Sequence, residues 1–339
     1  MRRIYTSILL ISMVFIGQIL AGTGTSGAQF LELSAGGRPS ALGGAYTAFA
    51  QGIEGIYINP AGMTSLQFRE AAFTHYELYA DMTYENIALG IPLGNQAIGI
   101  SVQGFLSGDI QETTIDRPQG TDRTFSANDF AFNVSYARVM TDKFSAGATF
   151  KLLVMNLADV RATGVAFDVG AIYNVGVRNI RIGFAINNFG PDLRYQGEPL
   201  EFETRKSENP DQSTDVNANY VSEFFQLPLT FRVGLAYDPV NTEQHRVTVL
   251  ADGLNPNDQD ENLVFGIEYG YKNAFFLRGG YAGLLNNGFE DGGINQRMYS
   301  FGAGAIIGVS GSTNLKFDYS FEAHKYLNNI SSFNVGFTF

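Results

Sequence analysis

The chain has 339 residues, 45% of them hydrophobic and 13% aromatic, with 39 glycines, no tryptophan and no cysteine. A net charge of -11 excludes a nucleic-acid-binding role, which needs a basic footprint, and the missing cysteines exclude a disulfide scaffold and a lipidated cysteine after a leader. Mean hydropathy of -0.02 excludes a helical membrane protein, whose spans would each be a continuous apolar run.

The chain opens with Arg2 and Arg3, continues with an apolar stretch from Ile8 to Ile16, and reaches the small residues Ala21 and Gly22. Charge, apolar core and small residues in that order predict a secretory signal peptide over residues 1–22. A membrane anchor is the weaker reading, because the apolar run falls well short of the ~20 residues a spanning helix needs.

Residues 23–68 do not alternate between apolar and polar. Gly36-Gly37-Arg38-Pro39-Ser40-Ala41-Leu42-Gly43-Gly44-Ala45-Tyr46 is dense in glycine and small side chains, and Ile56-Tyr57-Ile58-Asn59-Pro60-Ala61-Gly62-Met63 follows it. Small residues let backbones approach closely, and Asn-Pro favours a turn that opens a helix. Such a segment suits the inside of a barrel too wide for side chains alone to fill.

From Glu70 to the end the period is two. Leu263, Phe265, Ile267, Tyr269 and Tyr271 form one greasy face, interleaved with Val264, Gly266, Glu268, Gly270 and Lys272. The same alternation runs through Leu229–Asp238 and Leu315–Glu322. It marks half-buried strands, with tyrosines placed as in the aromatic girdles of barrels. About fourteen strands are predicted, near 69–80, 82–93, 96–107, 124–139, 143–156, 162–174, 179–189, 226–238, 244–252, 262–272, 274–283, 297–308, 313–322 and 328–339. Each approaches the ~9–11 residues of a tilted spanning strand.

The connections sort by parity. If the first strand rises from the periplasm, the inferred periplasmic links are all tight, whereas the outer links hold every long loop, at 108–123, 190–225, 253–261 and 284–296. Outer-membrane barrels have this asymmetry. The fold class is therefore all-β: a transmembrane antiparallel barrel over residues 69–339, preceded by an N-terminal plug over 23–68. Its wall is expected to meet outer-membrane lipid and lipopolysaccharide, and its terminal Phe339, with apolar residues at alternate positions behind it, resembles the signal read by the barrel-assembly machinery.

Lys151, Asp168, Arg181, Arg232, Glu268, Arg278, Lys316 and Asp318 occupy inward positions. Both signs occur, so internal bracing is the leading reading over an ion-selective path. The 190–225 loop is acidic through Glu198, Glu201, Glu203, Glu208, Asp211 and Asp215, then turns apolar at Tyr220, Val221, Phe224 and Phe225. These four either offer a landing site for a lipid-like ligand or cargo domain, or Phe224 and Phe225 begin the next strand and join the girdle. The second reading is slightly favoured. His75, His245 and His324 lack ligand spacing, Gly308-Val309-Ser310-Gly311 is a turn rather than a nucleophile elbow, and no cofactor or catalytic set is expected.

The runs GGRPSALGGAYTAFA and IYINPAGM resemble the start of the PorV/PorQ family of outer-membrane proteins, within the wider FadL-like barrels. Gly36, Arg38, Gly43, Gly44, Ala45, Asn59, Pro60, Ala61 and Gly62 carry the likeness. It departs at Gln51-Gly52, where an acidic pair is usual, leaving Glu54 as the nearby acid, and at Ile58, where an aromatic is common. The resemblance implies fourteen strands, a hatch closing the lumen, and a non-enzymatic role. That role is either handling of exported cargo in type IX secretion, which has a small lead, or uptake of hydrophobic molecules through the lumen and a sideways opening.

Overall fold

A computed structural model of the chain describes residues 25–206, 214–283, 297–311, 313–324 and 328–339. The expected signal peptide lies outside the described residues, as do Glu208 and Asp211 of the acidic loop.

Fourteen antiparallel strands close into a barrel. They are β1 (Glu70–Glu77), β2 (Thr83–Leu93), β3 (Gln96–Leu106), β4 (Ala127–Thr141), β5 (Phe144–Leu157), β6 (Val160–Asn174) and β7 (Arg181–Phe189). The ring continues with β8 (Thr230–Asn241), β9 (His245–Pro256), β10 (Asn262–Tyr271), β11 (Phe275–Ala282), β12 (Arg297–Ser310), β13 (Thr313–His324) and β14 (Ile330–Thr338). Closure comes from β1 against β14, in register from Glu70 opposite Thr338 to Glu77 opposite Ser331. It leaves the ring without a free first or last edge, the condition for a sheet to sit in hydrocarbon.

Alternation places the two faces as expected. Along β4 and β5, Phe132, Val134, Phe150 and Leu152 are exposed, whereas Asn133, Ser135, Thr149 and Lys151 are buried. Comparable exposed apolar residues occur on strands around the ring. A continuous band of this kind far exceeds the roughly 300–600 Å² patch that a soluble monomer tolerates, so the wall faces lipid. The short-turn end matches as well: Lys272 and Asn273 both take left-handed backbone, at φ 53 and 51, the geometry of a two-residue hairpin turn that keeps the strand twist.

Several boundaries differ from expectation: β1 ends at Glu77 rather than near 80, and β9 runs to Pro256 rather than 252, into the expected 253–261 loop. β8 starts at Thr230 rather than near 226, and the proline at 228 brings no backbone donor to the ladder. Residues Thr124–Phe125 do not extend β4; they pair with Ile110–Gln111 in a small hairpin within the long loop before it. A second hairpin, Glu201–Lys206 with Thr214–Asn219, forms inside the loop between β7 and β8.

Candidate functional site

The N-terminal segment is buried against the inward faces of strands around the ring. Its first part is a 3-10 turn, Gln29–Glu32, followed by a short helix, Gly37–Ala41. Gly43 and Gly44 stop that helix at φ 67 and 87, with their N–H groups donating to Ser40 and Pro39 carbonyls at 3.0 Å each. Left-handed backbone at a helix end is the glycine's role there. A second turn, Ile53–Tyr57, leads to Pro60–Ser65, where Asn59 caps through its Oδ1, accepting from Ala61 N–H at 3.2 Å.

The wall receives this segment on glycine. Inward-facing pairs sit opposite one another on neighbouring strands: Gly90 with Gly99, Gly147 with Gly170, Gly183 with Gly234, and Gly266 with Gly280. A Cβ on Gly147 would stand 2.6 Å from the Pro60 carbonyl carbon and 2.7 Å from Ala61 N. On Gly183 it would stand 2.6 Å from Ala48 Cα. The backbone of the segment thus lies directly on the backbone of the wall, a belt that alternation alone would not reveal. Hydrogen bonds lock it: Asp252 accepts from Tyr46 N–H at 2.9 Å and Thr47 N–H at 2.8 Å, Asn59 Nδ2 donates to the Ala171 carbonyl at 3.0 Å, and Asn187 Nδ2 donates to the Ile58 carbonyl at 3.1 Å.

An ionic cluster lies toward the short-turn end. Arg38 grips Glu268 with Nε and Nη2, both at 2.8 Å, and its guanidinium lies 4.3 Å from the centre of the Phe49 ring. Glu268 also accepts from Arg278 Nε at 2.7 Å and Arg246 Nη2 at 3.0 Å. Arg278 continues to Asp318, and Lys316 pairs with Glu70 at 2.9 Å. A cavity of about 370 Å³ opens beside this cluster, and Glu54 lines it. Glu54 is the acid noted in the sequence: one oxygen accepts from Asn334 Nδ2 on β14, and the other is buried without a hydrogen bond. Burial, with Asp318 and Glu70 near, pushes its carboxyl up to about 7.

The long-loop end of the lumen is apolar. Tyr76, Tyr84, Leu153, Met155, Leu193, Leu227 and Ile330 form one buried cluster, and Phe30 and Leu31 belong to it. Below this chamber the buried pair Lys151–Asp168, 2.7 Å apart, holds a bulge in β7. Asn188, at φ 62, donates its N–H to Asp168 at 2.7 Å and accepts from Lys151 at 2.6 Å. There the β6–β7 ladder ends at Phe167 opposite Phe189, while β6 continues upward to Val160.

The expected lumen charges all lie on inward faces, and bracing describes most of them. Arg181 meets Asp238 at 2.7 Å, and the other pairs are given above. Sequence reasoning missed Arg38, Arg246, Asp238 and Glu70 as their partners; Arg38 was singled out for the motif rather than its charge. The loop quartet splits. Tyr220, Val221 and Phe224 are exposed, whereas Phe225 packs onto the chamber and lies 5.5 Å from the Tyr195 ring. Neither phenylalanine begins β8, which corrects the favoured reading, because Phe225 bridges Leu193 instead. Among the described residues no acid or histidine cluster could hold a metal ion.

Strand closure, the lipid-facing band and the occupied lumen define a β-barrel resembling bacterial outer-membrane proteins. The chain belongs to UPF0164, an uncharacterised protein family, over residues 21–338. Among solved structures, the toluene transporter TbuX of Ralstonia pickettii matches with TM-score 0.54 at 16% identity, over 89% of this chain and 96% of that one. The toluene transporter TodX of Pseudomonas putida matches with TM-score 0.53 at 12% identity, over 94% and 97%. A FadL homologue from Pseudomonas aeruginosa matches with TM-score 0.55 at 13% identity, over 90% and 98%. At such identities the likeness is one of fold. No curated protein sequence matches the chain.

Proposed function

We propose that this protein carries hydrophobic small molecules across the outer membrane, without chemistry, and receives them in the apolar chamber at the long-loop end. The chamber itself is the observation that supports this reading. A lumen built only for braced or hydrated solutes has no use for Leu153, Met155, Leu193, Leu227 and Ile330 turned inward. Phe30 and Leu31 occupy the place a greasy ligand would take. Below them the glycine belt closes the axial route, so the N-terminal segment acts as a hatch. The fold shared with proteins described as toluene transporters supports the same reading.

The second reading is the one the PorV/PorQ resemblance favours, handling of exported cargo in a type IX-like pathway. It is supported by Tyr220, Val221 and Phe224, exposed together beyond the barrel rim. One experiment separates them. Proteoliposomes are assayed for uptake of labelled toluene with wild type, a Leu153→Glu, Met155→Glu chamber variant and a Tyr220→Ser, Val221→Ser, Phe224→Ser rim variant. The transport reading expects at least about a tenfold loss in the chamber variant only, since two buried acids would make the lining hostile to an apolar solute. Undiminished uptake by a correctly assembled chamber variant ends it. Loss of secreted proteins in a rim-variant strain would favour export.

A further inference from the structure

Above Phe167 the barrel wall has a notch. β7 has ended, β6 goes on, and the loop beyond Phe189 passes close to Val165 at Gly190 but hydrogen-bonds to β6 through its backbone again only at Gln196, which exchanges bonds with Arg161 at 2.8 and 2.9 Å. Between those two points, among the described residues, no backbone hydrogen bond joins Thr163 or Val165 to the loop. Their amide groups face the notch, because they share the parity of Arg161 and Phe167 along the strand. Leu193 fills the lumen side opposite Gly164. On the outer side a cavity of about 210 Å³ remains, lined by Arg161, Thr163, Asp192, Arg194 and Phe224 among others.

We propose that this notch binds an anionic lipid of the outer leaflet, with its phosphate between Arg161 and Arg194 and its acyl chains along the wall over Phe167 and Phe189. Three observations support that occupant. The first is charge. Arg38, Lys151, Arg181, Arg246, Arg278 and Lys316 inside the barrel each meet a carboxylate. Arg161 and Arg194 have neutral partners instead. Arg161 Nε donates to Asn156 Oδ1 at 2.7 Å; Arg194 stacks 5.1 Å from the Phe224 ring centre and, with the Gln196 amide turned to suit, donates to its oxygen at 2.9 Å. Asp192 shares the cavity, which leaves one net positive charge for a phosphate.

The second is height. Arg161, Thr163, Val165 and Phe167 follow one another on the outward face of β6, so the cationic pocket sits about 13 Å along the strand above the first apolar residue of that face. Cationic and polar groups above, apolar side chains below: that is the order of a headgroup over its chains. The third is shape: Phe167 and Phe189 are 46% and 62% exposed lower on the same wall, so an apolar face lies beneath the pocket. Planar guanidinium donors suit phosphate oxygens, and the free Thr163 amide adds a donor from the backbone. This inference does not depend on the transport reading.

The test is native mass spectrometry of the full chain in detergent with dioleoyl phosphatidylglycerol or dioleoyl phosphatidylcholine. Wild type is expected to keep a phosphatidylglycerol adduct at least about fivefold more occupied than phosphatidylcholine, and to lose that preference in high salt. Arg161→Gln with Arg194→Gln is expected to bring both lipids to one level, whereas Arg138→Gln, exposed at the opposite end of the wall, leaves the preference intact. Boiling-dependent gel mobility checks folding, and the salt response of wild type stands even if the double variant fails to assemble. Equal occupancy of the two lipids by wild type overturns the proposal, as does an unchanged preference in the double variant. Displacement by inorganic phosphate at the lipid's own concentration would make this a free-anion pocket and overturn the lipid assignment.

Discussion

Replacing Gly147 by alanine tests whether the glycine belt holds the N-terminal segment. The added methyl would sit 2.6 Å from the Pro60 carbonyl carbon, 2.7 Å from Ala61 N and 2.8 Å from the Pro60 oxygen, all backbone atoms that no rotamer change can move. The Pro60–Ser65 turn has nowhere to retreat, because Gly62 already lies against Ala50, where even a Cβ would come within 2.7 Å. Overpacking of this kind costs about 1–3 kcal/mol. Shifting the turn also strains the Asn59 fork to the Thr47 and Ala171 carbonyls, at 2.8 and 3.0 Å, each bond being worth about 0.5–1.5 kcal/mol. Together these give about 2–6 kcal/mol, or roughly 30- to 25,000-fold faster opening of the segment. Hydrogen exchange of peptides covering residues 47–66, in detergent, reads this directly. Gly279→Ala is the control: its Cβ would face outward with nothing nearer than 3.8 Å, so it should be neutral or slightly stabilising. If Gly147→Ala leaves exchange over 47–66 within about twofold of wild type while Gly279→Ala behaves the same, the belt does not hold the segment.

Glu54→Gln should remove a pH dependence. The folded-state value of Glu54 is raised from 4.5 to about 7, so the folded protein binds the extra proton between those limits. Its contribution to stability is therefore full below pH 4.5 and is lost as pH rises through about 7, with a total of roughly 2–4 kcal/mol. Denaturation midpoints in detergent should fall across that window in wild type and flatten in the variant; equal slopes would refute the assignment. Lys151→Met should destabilise by about 3–5 kcal/mol, because it strands Asp168 in the wall as a buried, unpaired charge. Adding Asp168→Leu should recover part of that but not all, since the Asn188 amide then lacks its acceptor, at about 1–3 kcal/mol. A double variant no more stable than the single would refute the pairing.

The barrel was legible in the sequence because lipid on one side and lumen on the other impose a period of two on every strand. Leu263 to Lys272 shows the reason: one alternation decides both faces of β10 at once. The loops were less legible. Thr124 and Phe125 have the composition of a strand, yet they pair with a distant dipeptide rather than with the wall. For Phe224 and Phe225 the alternation suggested a strand start, but position 228 brings no backbone donor, and the two rings point to different solvents. The ionic cluster was half visible. Glu268, Arg278 and Asp318 stood out as charges on inward faces, but their central partner, Arg38, comes from 230 positions away along the chain, a pairing that local patterning cannot encode. The glycine belt was visible only as an abundance of glycine. Its meaning depends on which glycines face inward at the same height, and that requires register as well as period.

The two halves of the N-terminal segment are held by different forces. Residues 36–66 rest backbone to backbone on the wall and are tied by Glu268, Asp252, Asn187 and Asn334. Releasing them would expose buried polar partners on both sides at once, at about 1–3 kcal/mol for each group left unsatisfied. Residues 26–33 have a lighter hold: one backbone bond from Gly27 to Gln226 at 2.9 Å, side-chain contacts to Asp258 and Gln259, and the burial of Phe30 and Leu31. Burial of those two side chains is worth about 1.5–3 kcal/mol each, and a hydrophobic ligand entering the chamber would restore that same apolar contact. The exchange is therefore close to balanced for the first half and strongly opposed for the second. On the transport reading, the first movement belongs to the turn at Gln29–Glu32, with the belt still closed beneath it.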